Sequence, residues 1–104
     1  MPKTYWVAQV QVHDPDRYAL YAKGAGDAFA KHGGRALARE GRLHWLEGVE
    51  RPRGVIIEFD SMEAAQACYQ SPEYQDARRH REGAADFHLV LVEGLEPSPS
   101  EQAG

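Results

Sequence analysis

The chain has 104 residues, a length that one compact domain usually occupies. Hydrophobic residues make up 42% and charged residues 27% of the sequence, which is typical of a folded globular protein and excludes a disordered one. The formal net charge is -4, so the chain lacks the basic character of a nucleic-acid-binding domain. Its apolar runs are far shorter than the roughly 20 residues of a membrane span. The chain has a single cysteine, Cys68, and we see no apolar leader segment in it. We therefore expect a cytoplasmic protein that has no disulfide and does not contact a membrane.

The first third of the chain predicts a strand followed by a helix. Residues 5–12 are rich in aromatic and β-branched side chains and predict a strand. Asp14, followed by a proline, is a typical helix start, and the apolar residues after it recur at steps of three and four. Gly24 and Gly26 lie inside this helix, where each weakens it by roughly 1 kcal/mol. Gly33 predicts the helix end.

The remaining sequence predicts three more strands and two more helices. These are a strand over 35–40 and 43–47 with a bulge at Gly41, a strand over 55–59, a helix capped by Ser61, a shorter helix from Pro72 to about Glu82, and a strand over 88–93. Residues 1–95 therefore form one predicted domain. Residues 96–104 lack an apolar anchor and predict a disordered C-terminal tail.

The element order β-α-β-β-α-β indicates the fold class. This order is typical of the split βαβ, or ferredoxin-like, α+β fold. It predicts a four-stranded antiparallel sheet with helices on one face. The extra short helix before the last strand does not change this prediction.

The helices cover only one face of such a sheet, so the second face is informative. Side chains alternate along a strand, which divides each strand into two sets. The uncovered set mixes apolar side chains with amides and carboxylates: Tyr5, Val7 and Ile56 with Gln9, Gln11 and Glu58. Such an apolar patch is unusual on a lone domain, and two-fold homodimers are the commonest assembly. We therefore expect a homodimer, although the wet face of a monomeric sheet is the simpler alternative.

Several short motifs follow one another in a recognisable order. They are Gly33-Gly34-Arg35, Arg39 within ALAREG, Leu46-Glu47-Gly48, Ile57-Glu58-Phe59 with Ser61, Ser71-Pro72-Glu73-Tyr74-Gln75 and Val92-Glu93-Gly94. On this ordered set the chain resembles the DUF1330 family of the dimeric α+β barrel superfamily over residues 5–94. The resemblance implies the fold and the dimeric barrel, but it carries over no catalytic residue. Glu40 departs from the family pattern, which more often has glycine there.

The best candidate site combines charged and amide side chains of the predicted sheet: Arg39, Glu47 and Glu58 with Gln9 and Gln11. Inside a barrel, desolvation would favour the protonated form of Glu58 and make it a general base. Arg39 would hold an anionic ligand through its planar fork, or neutralise Glu58. Alternatively, the same Arg–Glu pair only sets the register of the dimer.

Two further side chains are candidates for this site. His44 can exchange protons near neutral pH, although a surface position is the simpler interpretation. The hydroxyl of Tyr21 would reach a pocket mouth if the tyrosine is not simply part of the core.

Other chemistry is not indicated by the sequence. The five histidines lack the spacing of metal ligands, and there is no glycine-rich phosphate loop, so we predict no metal and no cofactor. Cys68 lies among alanines and is expected to be a buried thiol. The basic run at 78–81 is expected to be a solvated helix face without a nucleic-acid partner.

Two functional hypotheses follow. In the first, a homodimer binds a small organic molecule in a cleft between sheet and helices and performs cofactor-free acid–base chemistry there, as the superfamily resemblance implies, with Glu58 or His44 moving the proton. In the second, the protein is a non-catalytic binding or interaction module whose polar sheet residues stabilise the dimer.

Overall fold

The computed structural model describes residues 2–95, so the predicted tail at 96–104 lies outside the described residues. Within this range the chain forms four strands and three helices. In order these are β1 (Thr4–Val12), α1 (Pro15–Lys31), β2 (Arg35–Arg39), β3 (Arg53–Phe59), α2 (Met62–Gln70), α3 (Pro72–Arg81) and β4 (Ala85–Glu93).

The strands form one antiparallel sheet in the order β2-β3-β1-β4. The long central strand β1 pairs on one side with β3 and on the other with β4, so that Trp6 lies opposite Ile57 and Leu91. These three side chains point toward the helices. The predicted ferredoxin-like α+β fold is confirmed.

The predicted helix starts are confirmed by their capping contacts. The Asp14 side chain accepts a hydrogen bond from the backbone N–H of Arg17, at 3.2 Å, at the start of α1. Ser61 accepts from the N–H of Ala64 at the start of α2. Ser71 separates α2 from α3: its hydroxyl donates to the carbonyl of Cys68 and accepts from the N–H of Tyr74. Each cap satisfies an amide that a helix end leaves without a partner.

The prediction for the second strand was wrong in its second half. β2 ends at Arg39, and residues 43–47 do not form a strand. Glu40 adopts a left-handed backbone with φ of 59°, which turns the chain away from the extended path. The register irregularity lies between Ala36 and Ala38, not at Gly41. The apolar residues after Gly41 favoured a strand locally, but Leu43 packs over the backbone of Gly54 instead.

The core lies between the helices and the covered face of the sheet. Trp6 is 1% exposed and occupies its centre, with the rings of Phe29 and Tyr74 at 5.0 Å and 4.9 Å in edge-to-face contacts. Cys68 is buried in the same core, as expected, and burial raises the pKa of its thiol to about 11. The thiol is therefore a packing group.

None of the helices within residues 2–95 is long and apolar enough to cross a lipid bilayer.

Candidate functional site

The fold separates the residues that the sequence grouped into one site. Arg39 and Tyr21 line a cleft on the helix side of the sheet. Gln9, His44 and Glu47 line a shallow depression on the opposite, uncovered side, which we call the open face. Glu58 lies further along the open face, opposite Tyr5, and Gln11 lies at the other end of β1, opposite Asp86. The predicted cluster is therefore divided among four separate places.

A cleft lies between α1 and the covered face of the sheet. Aromatic and aliphatic side chains of its walls come from β1, β3, β4 and α1: Trp6, Ala8, Val10, Tyr18, Tyr21, Ala25, Phe29, Val55, Ile57 and Phe87. Counting the solvent at its mouth, the cleft has an empty volume of about 610 Å³, but its free interior is about 70 Å³. Because it is narrow and apolar, it suits a small, flat group.

Charged residues surround the mouth of this cleft. Arg53 forms an ion pair with Glu40, with 3.5 Å between Nη1 and Oε1, and its guanidinium lies 5.1 Å from the centre of the Tyr18 ring. Burial raises the pKa of Tyr18, so its hydroxyl stays protonated at neutral pH. Arg39 lines the same mouth and is exposed, and its guanidinium has no hydrogen-bond or ion-pair partner within residues 2–95. The mouth thus offers one arginine whose donors are not used.

Tyr21 does not present its hydroxyl at the mouth. The ring lines the cleft, but the hydroxyl lies 2.8 Å from that of Tyr74 in the core. Burial raises the pKa of Tyr21 well above its usual range, and the neighbouring Tyr74 adds to this effect. Tyr21 therefore contributes a wall and a structural hydrogen bond.

Replacing Tyr74 with phenylalanine leaves the buried Tyr21 hydroxyl without its partner. We expect the free energy of unfolding to fall by about 1–3 kcal/mol, because a buried polar group has lost its hydrogen bond. Replacing both Tyr21 and Tyr74 with phenylalanine should restore most of this loss, because no unpaired hydroxyl remains. Urea denaturation of the two single variants and the double variant measures the coupling free energy between the two hydroxyl groups. Tyr69→Phe is the control, and equal losses in all variants would contradict the pairing.

Arg35, and not Arg39, is the partner of Glu58. Arg39 lies opposite Val55 and faces the helices, whereas the Arg35 side chain donates to Glu58 at 3.0 Å and to Asp60 at 3.0 Å on the open face. Lys3 also contacts Asp60, at 2.9 Å. Hydrogen bonds from Lys3 and then Arg35 hold the pKa of the Asp60 carboxyl below its usual range. The expected Arg39–Glu58 pair is wrong because the irregularity in β2 places the two arginines on opposite faces.

The open-face depression holds the other candidates. Gln9 lies there beside His44 and Glu47, which belong to the irregular segment between β2 and β3. The indole N–H of Trp45 donates to the carbonyl of Arg51 at 3.0 Å and closes this segment on itself. His44 and Glu47 are exposed, so their proton-transfer and binding roles stay predictions.

Sequence reasoning missed the residues that form the cleft mouth. Glu40 is notable in the sequence only because it departs from the family pattern, and neither Arg53 nor Tyr18 is among the sequence candidates. The sequence signal for Glu40 was that the family more often has glycine at this position. In the structure Glu40 has a left-handed backbone, which is uncommon for residues other than glycine and can mark a functional segment.

Comparison with known proteins identifies the family. The model of DUF1330, described as a domain of unknown function, matches residues 3–95. The chain belongs to the DUF1330 family. No curated protein sequence matches this DUF1330 chain.

Solved structures share the fold of this DUF1330 protein at low sequence identity. A protein of unknown function from Rhodopseudomonas palustris, RPA0582, is 22% identical with a TM-score of 0.74, over 92% of this chain and 85% of its own. SnoaB, a cofactor-independent oxygenase from Streptomyces nogalater, is 13% identical with a TM-score of 0.66, over 95% and 99%. A dimeric ferredoxin-like protein of unknown function from Jannaschia sp. CCS1 is 15% identical with a TM-score of 0.67, over 88% and 98%.

Proposed function

We propose that the protein is a homodimer that binds a small organic anion in the cleft between α1 and the sheet. The observation that carries this proposal is Arg39, an arginine without a partner among the described residues, at the mouth of an apolar, aromatic-walled cleft. Ligand sites are commonly apolar pockets with a few polar groups that fix orientation. A guanidinium fork matches the two oxygens of a carboxylate.

The shape of the cleft supports a specific orientation of the ligand. The interior, about 70 Å³, accepts only the apolar part of a small molecule. Arg39 lies at the mouth, so the charged part stays near solvent, where its desolvation penalty is small. Glu40 forms its ion pair with Arg53, so it does not neutralise Arg39, whose guanidinium can bind a ligand. A flat ring that bears one carboxylate meets these requirements.

The open face supports the proposed dimer. Val90 and Val92 are 55% and 48% exposed there, beside the partly exposed Val7 and Ile56. The structural neighbour from Jannaschia is described as dimeric. We assign the open face to a second copy of this chain, because that copy presents the same mixture of apolar and polar groups.

Binding is better supported than turnover. SnoaB is described as a cofactor-independent oxygenase, so a protein with this fold can act without a cofactor. In this chain, however, both relevant carboxylates are engaged by arginines: Glu40 at the cleft mouth by Arg53, and Glu58 on the open face by Arg35. A carboxylate whose oxygens already accept from a guanidinium is less available to take a proton from a bound molecule. Acid–base chemistry by Glu58 or His44 therefore stays a prediction, as does a purely structural role of these residues in the dimer.

Benzoate and its neutral analogue benzamide test the proposed site. We expect benzoate to shift the methyl NMR signals of Val55 and Ile57, which line the cleft, and Arg39→Gln to weaken benzoate binding by about tenfold. Benzamide binding should be insensitive to this change. Arg42→Gln is the matched control, because Arg42 is also exposed but does not line the cleft.

Two results would overturn the proposed site. One is a benzoate affinity that is the same in the Arg39→Gln variant and in the unmodified protein. The other is an equal affinity for benzoate and benzamide, because a site that holds the charge must distinguish them.

A further inference from the structure

A second pocket lies between α3 and the edge strand β4. It shares Trp6 and Phe87 with the helix–sheet cleft, but its remaining walls come from other residues, among them Leu89 and Leu91. Its volume is about 390 Å³, which lies in the range of small-molecule sites. Among residues 2–95, the only charged side chains that line it are Arg78 and Arg81, so it combines apolar walls with two cations.

Arg81 is held in place without an anionic partner. Its guanidinium lies 3.9 Å from the centre of the Phe87 ring and 5.3 Å from that of Tyr21. One Nη atom donates a long hydrogen bond of 3.5 Å to the Tyr74 hydroxyl, and Nε is buried without a partner. Within residues 2–95, no carboxylate forms an ion pair with it. Aromatic faces offset only part of the cost of half-burying a cation.

Arg78 adds a second incompletely used guanidinium. Its Nη1 lies 3.5 Å from Oε1 of Glu82, whose side chain is 60% exposed, so this ion pair is long and lies at the rim. Its Nε is also buried without a hydrogen-bond partner. Arg78 and Arg81 are three positions apart on α3 and therefore neighbours on one helix face. The predicted solvated basic face is thus divided: Arg79 and His80 are exposed, whereas Arg78 and Arg81 line the pocket.

We infer that this pocket is a separate binding site for an organic carboxylate with an aliphatic tail. The carboxylate would accept hydrogen bonds from the terminal Nη groups of the two guanidiniums, because the Nε atoms are enclosed by protein. The tail would cover the parts of Leu89 and Leu91 that the core leaves exposed, which a compact inorganic anion would not cover. The site does not depend on Arg39 or on the proposed function of the helix–sheet cleft.

Octanoate and octanamide are the probes, because they share the tail and differ in charge. We expect octanoate to shift the methyl NMR signals of Leu89 and Leu91 and to bind about tenfold more tightly than octanamide. Arg81→Gln should weaken octanoate binding by about tenfold and leave octanamide binding unchanged. Arg79→Gln is the matched control, because this neighbour on α3 is 75% exposed, pairs with Asp76 and does not line the pocket.

The outcomes separate this site from the cleft. Equal affinities for octanoate and octanamide, or an equal loss in Arg79→Gln, would overturn the inference. So would octanoate shifts at Val55 and Ile57 in place of Leu89 and Leu91, because the ligand would then lie in the cleft. If Arg81→Gln does not fold, Arg78→Gln takes its place. The selectivity of the unmodified protein for octanoate over octanamide decides the question in either case.

Discussion

Replacing Val7 with lysine should convert the protein from a dimer to a monomer. Val7 lies in the middle of β1, opposite Ile56 on one neighbouring strand and Val90 on the other, at the centre of the open face. If two open faces pack together, each dimer gains two buried ammonium groups without partners, a cost of several kcal/mol. The fold of each chain should persist, because the side chain of residue 7 points away from the core.

Sedimentation equilibrium measures this change directly. The unmodified protein should have twice the mass of the 11.6 kDa chain, and the Val7→Lys variant should have the mass of one chain. Leu20→Lys is the control, because Leu20 is 54% exposed on α1, away from the open face. A Val7→Lys variant that remains as tightly dimeric as the Leu20→Lys control would show that the open face is not the interface.

Gly24→Ala and Gly26→Ala should change stability in opposite directions, although both glycines lie inside α1. A Cβ atom at position 24 would lie 2.8 Å from Cβ and 3.4 Å from Cα of Ala77 on α3. Neither helix can yield without separating the two, so we expect Gly24→Ala to destabilise the protein by about 1–3 kcal/mol through overpacking.

A Cβ atom at position 26 meets nothing within 4 Å. Gly26→Ala therefore only removes backbone freedom from the unfolded chain, and we expect it to stabilise the protein by about 0.5–1 kcal/mol. Urea denaturation of both variants checks the two signs. A Gly24→Ala variant that is as stable as Gly26→Ala would mean that α1 and α3 do not approach as closely as the structure indicates.

Much of the fold could be predicted because its signals are local. Asp14, Ser61 and Ser71 each cap the helix that follows them in the chain, and alternation along β1 and β3 separates the covered face from the open face. These patterns depend on neighbours within a few positions, which the sequence itself supplies. The family resemblance added the expectation of the same fold, and the match over residues 3–95 confirms the family.

The candidate site could not be predicted in the same way, because one irregular residue changes which face a side chain occupies. Alternation in β2 alone does not show that the register shifts between Ala36 and Ala38. That shift places Arg35 beside Glu58 and sends Arg39 to the helix side, which separates the pair that the sequence suggested.

The amino-acid sequence by itself determined the helix starts, the order of the elements and the two faces of β1 and β3. Only the tertiary structure decided which arginines lack an ion-pair partner within residues 2–95. The sequence indicates Arg39 as a candidate anion holder or a partner of Glu58, and it gives Arg81 as part of a solvated basic run. In the structure Arg39 lies at the cleft mouth and Arg81 lies between Phe87 and Tyr21. Whether each of these arginines has an ion-pair partner depends on which carboxylates the fold brings close to it. It also depends on which carboxylates already form ion pairs with other arginines. That is a property of long-range packing, and no local pattern encodes it.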